Sequence, residues 1–401
     1  MVATTKKDYV ARVIAETTQG TTPAGNMLEI PLEAFSFTGQ APDREQAANV
    51  SSNQQVPDNI PTTRNPQATA SADVLYDHYK LLEAHCCGQT GYTAAITVTA
   101  STIAAVASGN KLTGSGTPWA GIVIGDYVRV TGFTTNAADF VAKVTVTPTG
   151  TDLALSTDWI TLVDEAAGAS ITVTHKGKLS LGTANPTMSI ELWNANGVVG
   201  QIGRGFGVSK WGWELPYPNK LKQTFSWAGI SVAEISAQLA NATTAAAAQY
   251  PMNSNTDFGD ALFPTFGGGF RYGGAVFDGR VEKLSFEVNK ARKTSGKAGA
   301  FGPQAIFSDE RYSISLSLGL YRDSTDAESV LADSRDHTSV TSFEWVMADA
   351  LGRRKLFAFP QVQFTKGDPG GLAQSGEEMV EFTLMARTST NQGMFQVTLL
   401  D

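Results

Sequence analysis

Arg311-Tyr312-Ser313-Ile314-Ser315-Leu316-Ser317-Leu318-Gly319-Leu320-Tyr321 is the stretch that decides how this chain folds. Ile314, Leu316, Leu318 and Leu320 recur at every second position, with serine and glycine between them. Successive side chains of a β-strand point to opposite faces, so this spacing gives one apolar face and one polar face. The same period runs through Leu284/Phe286/Val288 and Phe343/Trp345/Met347. Strands are expected over 281–288, 311–321, 342–347, 355–364, 377–387 and 394–400. Half-buried antiparallel sheet is the arrangement that uses such strands.

Upstream, Ser189-Ile190-Glu191-Leu192-Trp193 and Lys222-Gln223-Thr224-Phe225-Ser226-Trp227 extend the pattern, the second running on toward Ile235 and Leu239. Near the start, Tyr9, Val10, Val13 and Ile14 lead into a turn punctuated by Gly20 and Pro23, and Ile30/Leu32 and Phe35/Phe37 alternate again. Residues 40–72 are polar, contain Pro42, Pro57, Pro61 and Pro66, and have no apolar period, so they read as an extended arm. Residues 71–87 read as a helix, with Ser71 or Asp73 as the cap and Val74, Leu75, Tyr79 and Leu82 on one face. Residues 93–178 alternate short strands (95–99, 125–133, 140–146, 159–163, 170–174) with Gly- and Asn-containing turns, the pattern of a small inserted β-barrel or sandwich. The expected fold is therefore mainly β: two packed antiparallel sheets, sandwich- or barrel-like, with one flanking helix and an inserted small β domain. Residues 1–92 and 179–401 form the main domain and 93–178 the insert.

The composition narrows the function. Of 401 residues, 42% are hydrophobic, enough for a buried core, and only 17% are charged. Soluble proteins average about 25% charged residues, and interface cores are depleted in charge, so part of this surface is expected to lie under other subunits. A Thr/Ser-rich β protein with no partner has a similar composition. A net charge of −8 argues against a nucleic-acid-binding face, which needs a basic stripe. The two cysteines, Cys86 and Cys87, are adjacent and offer no disulfide framework. No apolar core of a signal peptide follows Met1, and no run reaches the ~20 residues of a membrane span.

The search for chemistry finds little. His78, His85, His175 and His337 are scattered, and His78 and His85 are seven apart rather than at the four-residue spacing of zinc helices. His85-Cys86-Cys87 diverge in direction on a helix, so one ion could not meet all three. Gly203-Arg204-Gly205-Phe206-Gly207 and Ser295-Gly296-Lys297-Ala298 lack the spacing and frame of phosphate loops, and Gly267–Gly269 with Arg271-Tyr272-Gly273-Gly274 suits a loop tip or subunit contact. Asp164/Glu165 and Glu377/Glu378 read as solvated turns, and Asp257, Asp260 and Asp278 do not form a calcium loop. No nucleophile motif occurs. No catalytic, cofactor-binding or metal residues are expected, and the chain reads as a structural protein rather than an enzyme.

Glu16-Thr17-Thr18-Gln19-Gly20-Thr21-Thr22-Pro23-Ala24, followed by Phe35-Ser36-Phe37-Thr38-Gly39, resembles the opening of the tail tube (major tail) proteins of long-tailed, siphovirus-like phages. The arm and helix after it are similar to that family, as is Gly125-Asp126-Tyr127-Val128-Arg129-Val130-Thr131-Gly132-Phe133 in the insert. So are the closing stretches Leu356-Phe357-Ala358-Phe359-Pro360-Gln361-Val362-Gln363-Phe364 and Val380-Glu381-Phe382-Thr383-Leu384-Met385-Ala386. The resemblance implies a virion protein that closes into hexameric rings and stacks them into a hollow tail tube, assembled in the host cytoplasm. Its partners would be itself, the tape-measure protein, the tail terminator and the distal tail proteins. DNA would only pass through the lumen, and no membrane or cofactor is involved. Asp and Glu on barrel-facing strands are expected to line the lumen, the insert to project outward and be dispensable for ring closure, and the arm to order only in the tube. The alternatives are another virion part (head–tail completion, decoration or baseplate protein), a carbohydrate-binding adhesin, and a hydrolase.

Overall fold

The computed structural model describes residues 9–46, 59–61, 63–100, 102–168, 170–175, 177–194, 199–216, 221–244, 252, 270–277, 281–296, 302–308, 311–322, 324–336, 338–349, 351–368, 379–389 and 393–400. The chain is mainly β. Strand Ser313–Tyr321 buries Ile314, Leu316, Leu318 and Leu320 and lies between Val281–Asn289 and Met379–Ala386, antiparallel to both. Beyond Val281–Asn289 the sheet continues through Gly200–Pro216, Lys222–Ala228 and Gln67–Asp73 to Ala34–Thr38. Beyond Met379–Ala386 it continues through Arg354–Asp368 to Thr341–Ala348, and Gln396–Leu400 pairs along the first part of Arg354–Asp368.

This sheet curls over its own apolar face. Trp213 and Trp345 have ring centroids 4.2 Å apart although four strands separate theirs along the hydrogen-bonded order. Phe286 meets Phe357 at 5.4 Å and Phe359 at 5.9 Å, and Trp211 meets Phe395 at 6.1 Å. Aromatic rings fill the space between the two halves of the curled sheet, each contributing a large apolar area in edge-on or tilted contacts.

The 17-residue strand Gly200–Pro216 is the corner of the fold. Residues 200–204 pair with Met188–Asn194 and Ser231–Ile235, and that sheet goes on to Tyr9–Ala15 and Met27–Ile30. From Gly207 the strand pairs with Lys222–Ala228 and Val281–Asn289 instead. Gly205 makes the change of direction at φ +67°, where a Cβ would lie 2.5 Å from Ile230 Cδ1. The glycine cluster 203–207 thus bends a strand between sheets.

Several boundaries differ from expectation. Residues 71–87 are not one helix: Gln67–Asp73 is a strand, and α1 spans only Lys80–Cys86, with Tyr79 at its N-cap position making no side-chain cap. Ala68, Ala70 and Ala72 are buried on alternate positions, and methyl groups this small hid the period of two. The same strand removes 67–72 from the expected arm. Within the arm, Arg44–Gln46 pairs with Asn59–Pro61 as a two-stranded ribbon, and 47–58 lie outside the described residues. A second helix, α2 at Thr325–Arg335, joins α1, so the expectation of a single helix is corrected. Ser324 Oγ accepts from the Ala327 N–H at its start, Asp326 and Glu328 occupy its first turn, and Val330 and Leu331 are buried.

The insert contains two small sheets, one of Ile96–Ala100, Tyr127–Thr131, Asp139–Lys143 and Ile171–His175, the other of Ala104–Val106, Lys111–Thr113 and Asp152–Ala154. Residues 159–163 are not a strand. The N–H groups of Trp159 and Ile160 turn back to Ser156 O, and side-chain amides then replace strand partners: Asn110 Oδ1 accepts from Leu162 and Asn136 Oδ1 from Val163.

Asp164 and Glu165 lie at the solvated surface, as expected, and also staple neighbouring loops. Asp164 accepts from the Ala107 N–H, and Glu165 from the N–H groups of Thr134, Thr135 and Asn136 and from two side chains. Desolvation works against the charged form of Glu165, but those backbone N–H donors outweigh it and pull its pKa down to about 2. A depressed carboxyl stabilises the fold above its unfolded value near 4.5 and loses that contribution as pH falls through the folded value. The loop 132–137 is therefore expected to loosen between pH 4.5 and 2, and Glu165→Gln to loosen it already at pH 7. Amide exchange at Thr134, Thr135 and Asn136 measures this; unchanged protection in the variant would contradict it.

Candidate functional site

One extended polar feature among the described residues is the outward face of the curled sheet. Residues that alternate with the buried ones line up across strands: Asp73, Lys222, Glu214, Ser285, Ser317 and Thr383 form one row by register. A parallel row runs Ala34, Ser71, Thr224, Gly212, Glu287, Ser315, Met385 and Gln363. At ~4.8 Å between neighbouring strands, eight strands make a face about 34 Å wide. Small hydroxyls dominate it, and its charges occur as pairs: Lys210–Glu287 at 2.6 Å, Lys222–Glu33 at 2.8 Å and Lys283–Glu214 at 3.5 Å. Exposed pairs like these contribute little stability, about 0–1 kcal/mol each, but they leave few charges uncompensated. Among the described residues of this face the carboxylates Glu33, Asp73, Glu214, Glu287 and Glu381 outnumber the lysines Lys210, Lys222 and Lys283.

At one edge of this sheet, Ala34–Thr38 pairs on one side only among the described residues. Its neighbour in sequence, the turn at residues 16–24, is fixed by Glu16. That carboxylate accepts from the Gly20 and Gly205 N–H groups and from the hydroxyls of Thr187 and Ser189, at 2.7–2.9 Å. Thr22 Oγ1 in turn accepts from Arg204 Nε. The turn is thereby tied to the corner strand at its glycine bend. Glu16→Ala would leave four donors without their acceptor and is expected to cost about 2–4 kcal/mol, read as a lower urea midpoint. A change under ~0.5 kcal/mol would show that water replaces the carboxylate at no cost.

The residues that sequence reading weighed as chemical groups are not assembled into a centre. His78, His85 and His175 are all buried, in different places, and His337 lies outside the described residues. Burial holds the His85 imidazole down to about 4, with Arg292 adding to the shift. Cys86 and Cys87 are free, buried thiols, and burial raises both pKa values. No group of three or more metal-ligating side chains occurs among the described residues. Gly267–Gly269, Lys297, Ala298, Asp257, Asp260, Asp278, Glu377 and Glu378 lie outside them. Arg271 is inside the body, stacked over Trp159 at 4.3 Å, and not on a loop tip. Trp119, Trp159, Trp211, Trp213, Trp227 and Trp345 are buried core residues, and a sugar-binding platform would need such rings exposed.

Sequence reading missed the buried ionic groups. Arg12 pairs with Glu191 at the centre of one sheet, and Lys355 pairs with Glu83 under α1. Nothing in their local patterns sets them apart from surface charges. A scan against protein-family models matches no family, and a search among curated proteins finds no match.

Proposed function

We propose that this protein is a structural subunit of a phage tail tube, which closes into rings, stacks them and leaves a channel for DNA. The observation that carries the reading is the wide hydroxyl-rich face with its paired charges, next to the edge strand Ala34–Thr38, which pairs on one side only among the described residues. A sheet edge with free N–H and C=O groups invites another strand, and ring closure between copies would cover it. A wall of small hydroxyls and paired charges gives DNA phosphates no cationic stripe to hold. The carboxylates of this face, Glu33, Asp73, Glu214, Glu287 and Glu381 against three lysines, agree in sign with the acidic wall expected within this reading.

The turn at residues 16–24 supports the same reading. It carries the sequence resemblance to tail tube proteins, and Glu16 ties it to the corner of the fold. Within this reading the partners are further copies of the chain, the tape-measure protein, the tail terminator and the distal tail proteins, and the site of action is the virion tail.

Negative-stain electron microscopy of the purified protein tests the proposal. Long hollow filaments, formed alone or on a tape-measure template, are the expected result. Isolated rings or particles under both conditions would favour a head–tail completion or baseplate role, and cryo-EM of a tube lined by a basic face would overturn the assignment of the channel wall.

A further inference from the structure

The insert meets the body through a narrow neck and a broad seam, and one buried histidine stands at the neck. The ingoing and outgoing chains run side by side: the Thr93 N–H donates to Lys178 O at 2.9 Å, the Lys178 N–H donates to Thr93 Oγ1 at 2.9 Å, and Ile96 is opposite His175. Gly177, between them at φ +120°, accepts from the Leu399 N–H, and a Cβ there would collide with Thr93 O. His175 is 2% exposed, and neither ring nitrogen is hydrogen-bonded to another residue.

The charged groups facing it are Asp126, from the turn before Tyr127–Thr131, and Lys178, from Lys178–Ser180. Asp126 is itself buried and already accepts from Lys178 Nζ at 2.5 Å and the Val123 N–H at 2.9 Å. A protonated imidazole would thus sit in an apolar neck beside an ammonium, with its nearest carboxylate engaged elsewhere. Burial holds the imidazole pKa below its ordinary 6.5, Asp126 opposing and Lys178 adding to the shift.

The rest of the seam, among the described residues, is held by ion pairs and hydrogen bonds. Glu344 of the body accepts from Tyr127 Oη at 2.8 Å and Lys143 Nζ at 3.1 Å, and Arg271 donates to Asp158 O. Asp139 pairs with Arg129 at 2.7 Å and with Arg354 of the body at 3.0 Å. Although desolvation opposes it, those arginine hydrogen bonds hold Asp139 below the usual carboxylate range.

We propose that His175 makes the neck a proton-sensitive hinge, through which the 93–178 insert loosens from the body as the medium turns acidic. The sign follows from linkage. A histidine kept neutral when the neck is closed takes up its proton on opening, so closure is favoured above pH 6.5 and weakens as pH falls below it. With 6.5 for the open form, the closed state can lose up to about 30-fold in population ratio at pH 5.

Hydrogen exchange of the full-length protein at pH 7 and pH 5, corrected for intrinsic rates, tests this. Protection across Ile96–Ala100 and Ile171–His175 is expected to fall, by up to about 25-fold, with Ser313–Tyr321 changing less than about twofold. His175→Phe, which fills the same apolar site without a proton to bind, should flatten the change, and His175→Asn serves as a second variant should the phenylalanine disturb packing. A pH response that survives in either folded variant would overturn the proposal. So would equal loss in the insert and Ser313–Tyr321, or no change in the native protein. His85, held down to about 4, stays mainly neutral in the folded protein at pH 5, and it is present equally in both His175 variants.

Discussion

Lys355→Met is expected to lower the unfolding free energy by ~3–5 kcal/mol, because it strands a buried carboxylate. Lys355 and Glu83 are 1% and 0% exposed, and Lys355 Nζ donates to Glu83 Oε1 beneath α1. Tyr92 Oη donates to the other Glu83 oxygen. Burial pushes the Lys355 ammonium below the usual lysine range, with Glu83 pulling it back up. A depressed lysine means that keeping the charge costs the folded state something at neutral pH, so the pair as a whole is not a large source of stability. Removing one member is different, since the remaining ion has no water to replace its partner. Glu83→Gln together with Lys355→Met should therefore recover most of the loss, as an amide still accepts from Tyr92. Urea denaturation of the two single variants and the double variant closes the cycle. A loss below ~1 kcal/mol for Lys355→Met would mean that water already reaches Glu83.

That ion pair also marks where sequence reading ended. The sheets were legible because period-two alternation reports a half-buried strand directly, as at Ile314–Leu320 and Leu284–Val288. It failed where alternation was carried by small groups. Ala68, Ala70 and Ala72 contribute little hydrophobicity, so a central strand read as the start of a helix. It was silent where glycine served packing: the spacing of the cluster 203–207 says only that it is no phosphate loop, yet Gly203, with a Cβ position 2.6 Å from Phe206, and Gly205 let a strand cross between sheets. In the insert, Trp159-Ile160-Thr161-Leu162-Val163 has strand composition, but Asn110 and Asn136 satisfy its N–H groups from the side. Pairings such as Glu83–Lys355, 272 positions apart in sequence, exist only once the fold has formed. The polar face was half legible: its serines are the alternate residues of the opening stretch, whereas the pairing of its charges across strands depends on register.

Deleting residues 93–178 is expected to cost the body on the order of 5–8 kcal/mol, because it would uncover the outer face of the strands beneath the insert. Those strands are buried on both sides. Phe343, Trp345, Phe357, Phe359, Val397 and Leu399 face the aromatic core, whereas Val346, Leu356, Ala358 and Leu400 belong to the core of the insert. Exposing Val346, Leu356 and Leu400 forfeits about 1.5–3 kcal/mol each, against a total stability of about 5–15 kcal/mol for a typical domain. Glu344 and Arg354 would lose their partners Tyr127, Lys143 and Asp139 at the same time, but regain water, which offsets part of that loss. The insert is thus a second layer over the sheet, and the expectation that it can be dispensed with needs a repaired surface. A linker of a few residues suffices for the deletion, since Thr93 and Lys178 are hydrogen-bonded neighbours. The simple deletion should aggregate or melt at a sharply lower denaturant concentration, and adding Val346→Thr, Leu356→Thr and Leu400→Ser should restore solubility. If the unrepaired deletion keeps the denaturation midpoint of the full chain, the shared core contributes nothing and the insert is an independent appendage. If the repaired form folds and assembles, the body alone carries the contacts of the assembly, and the insert is left with the neck at His175 as its link to the outside medium.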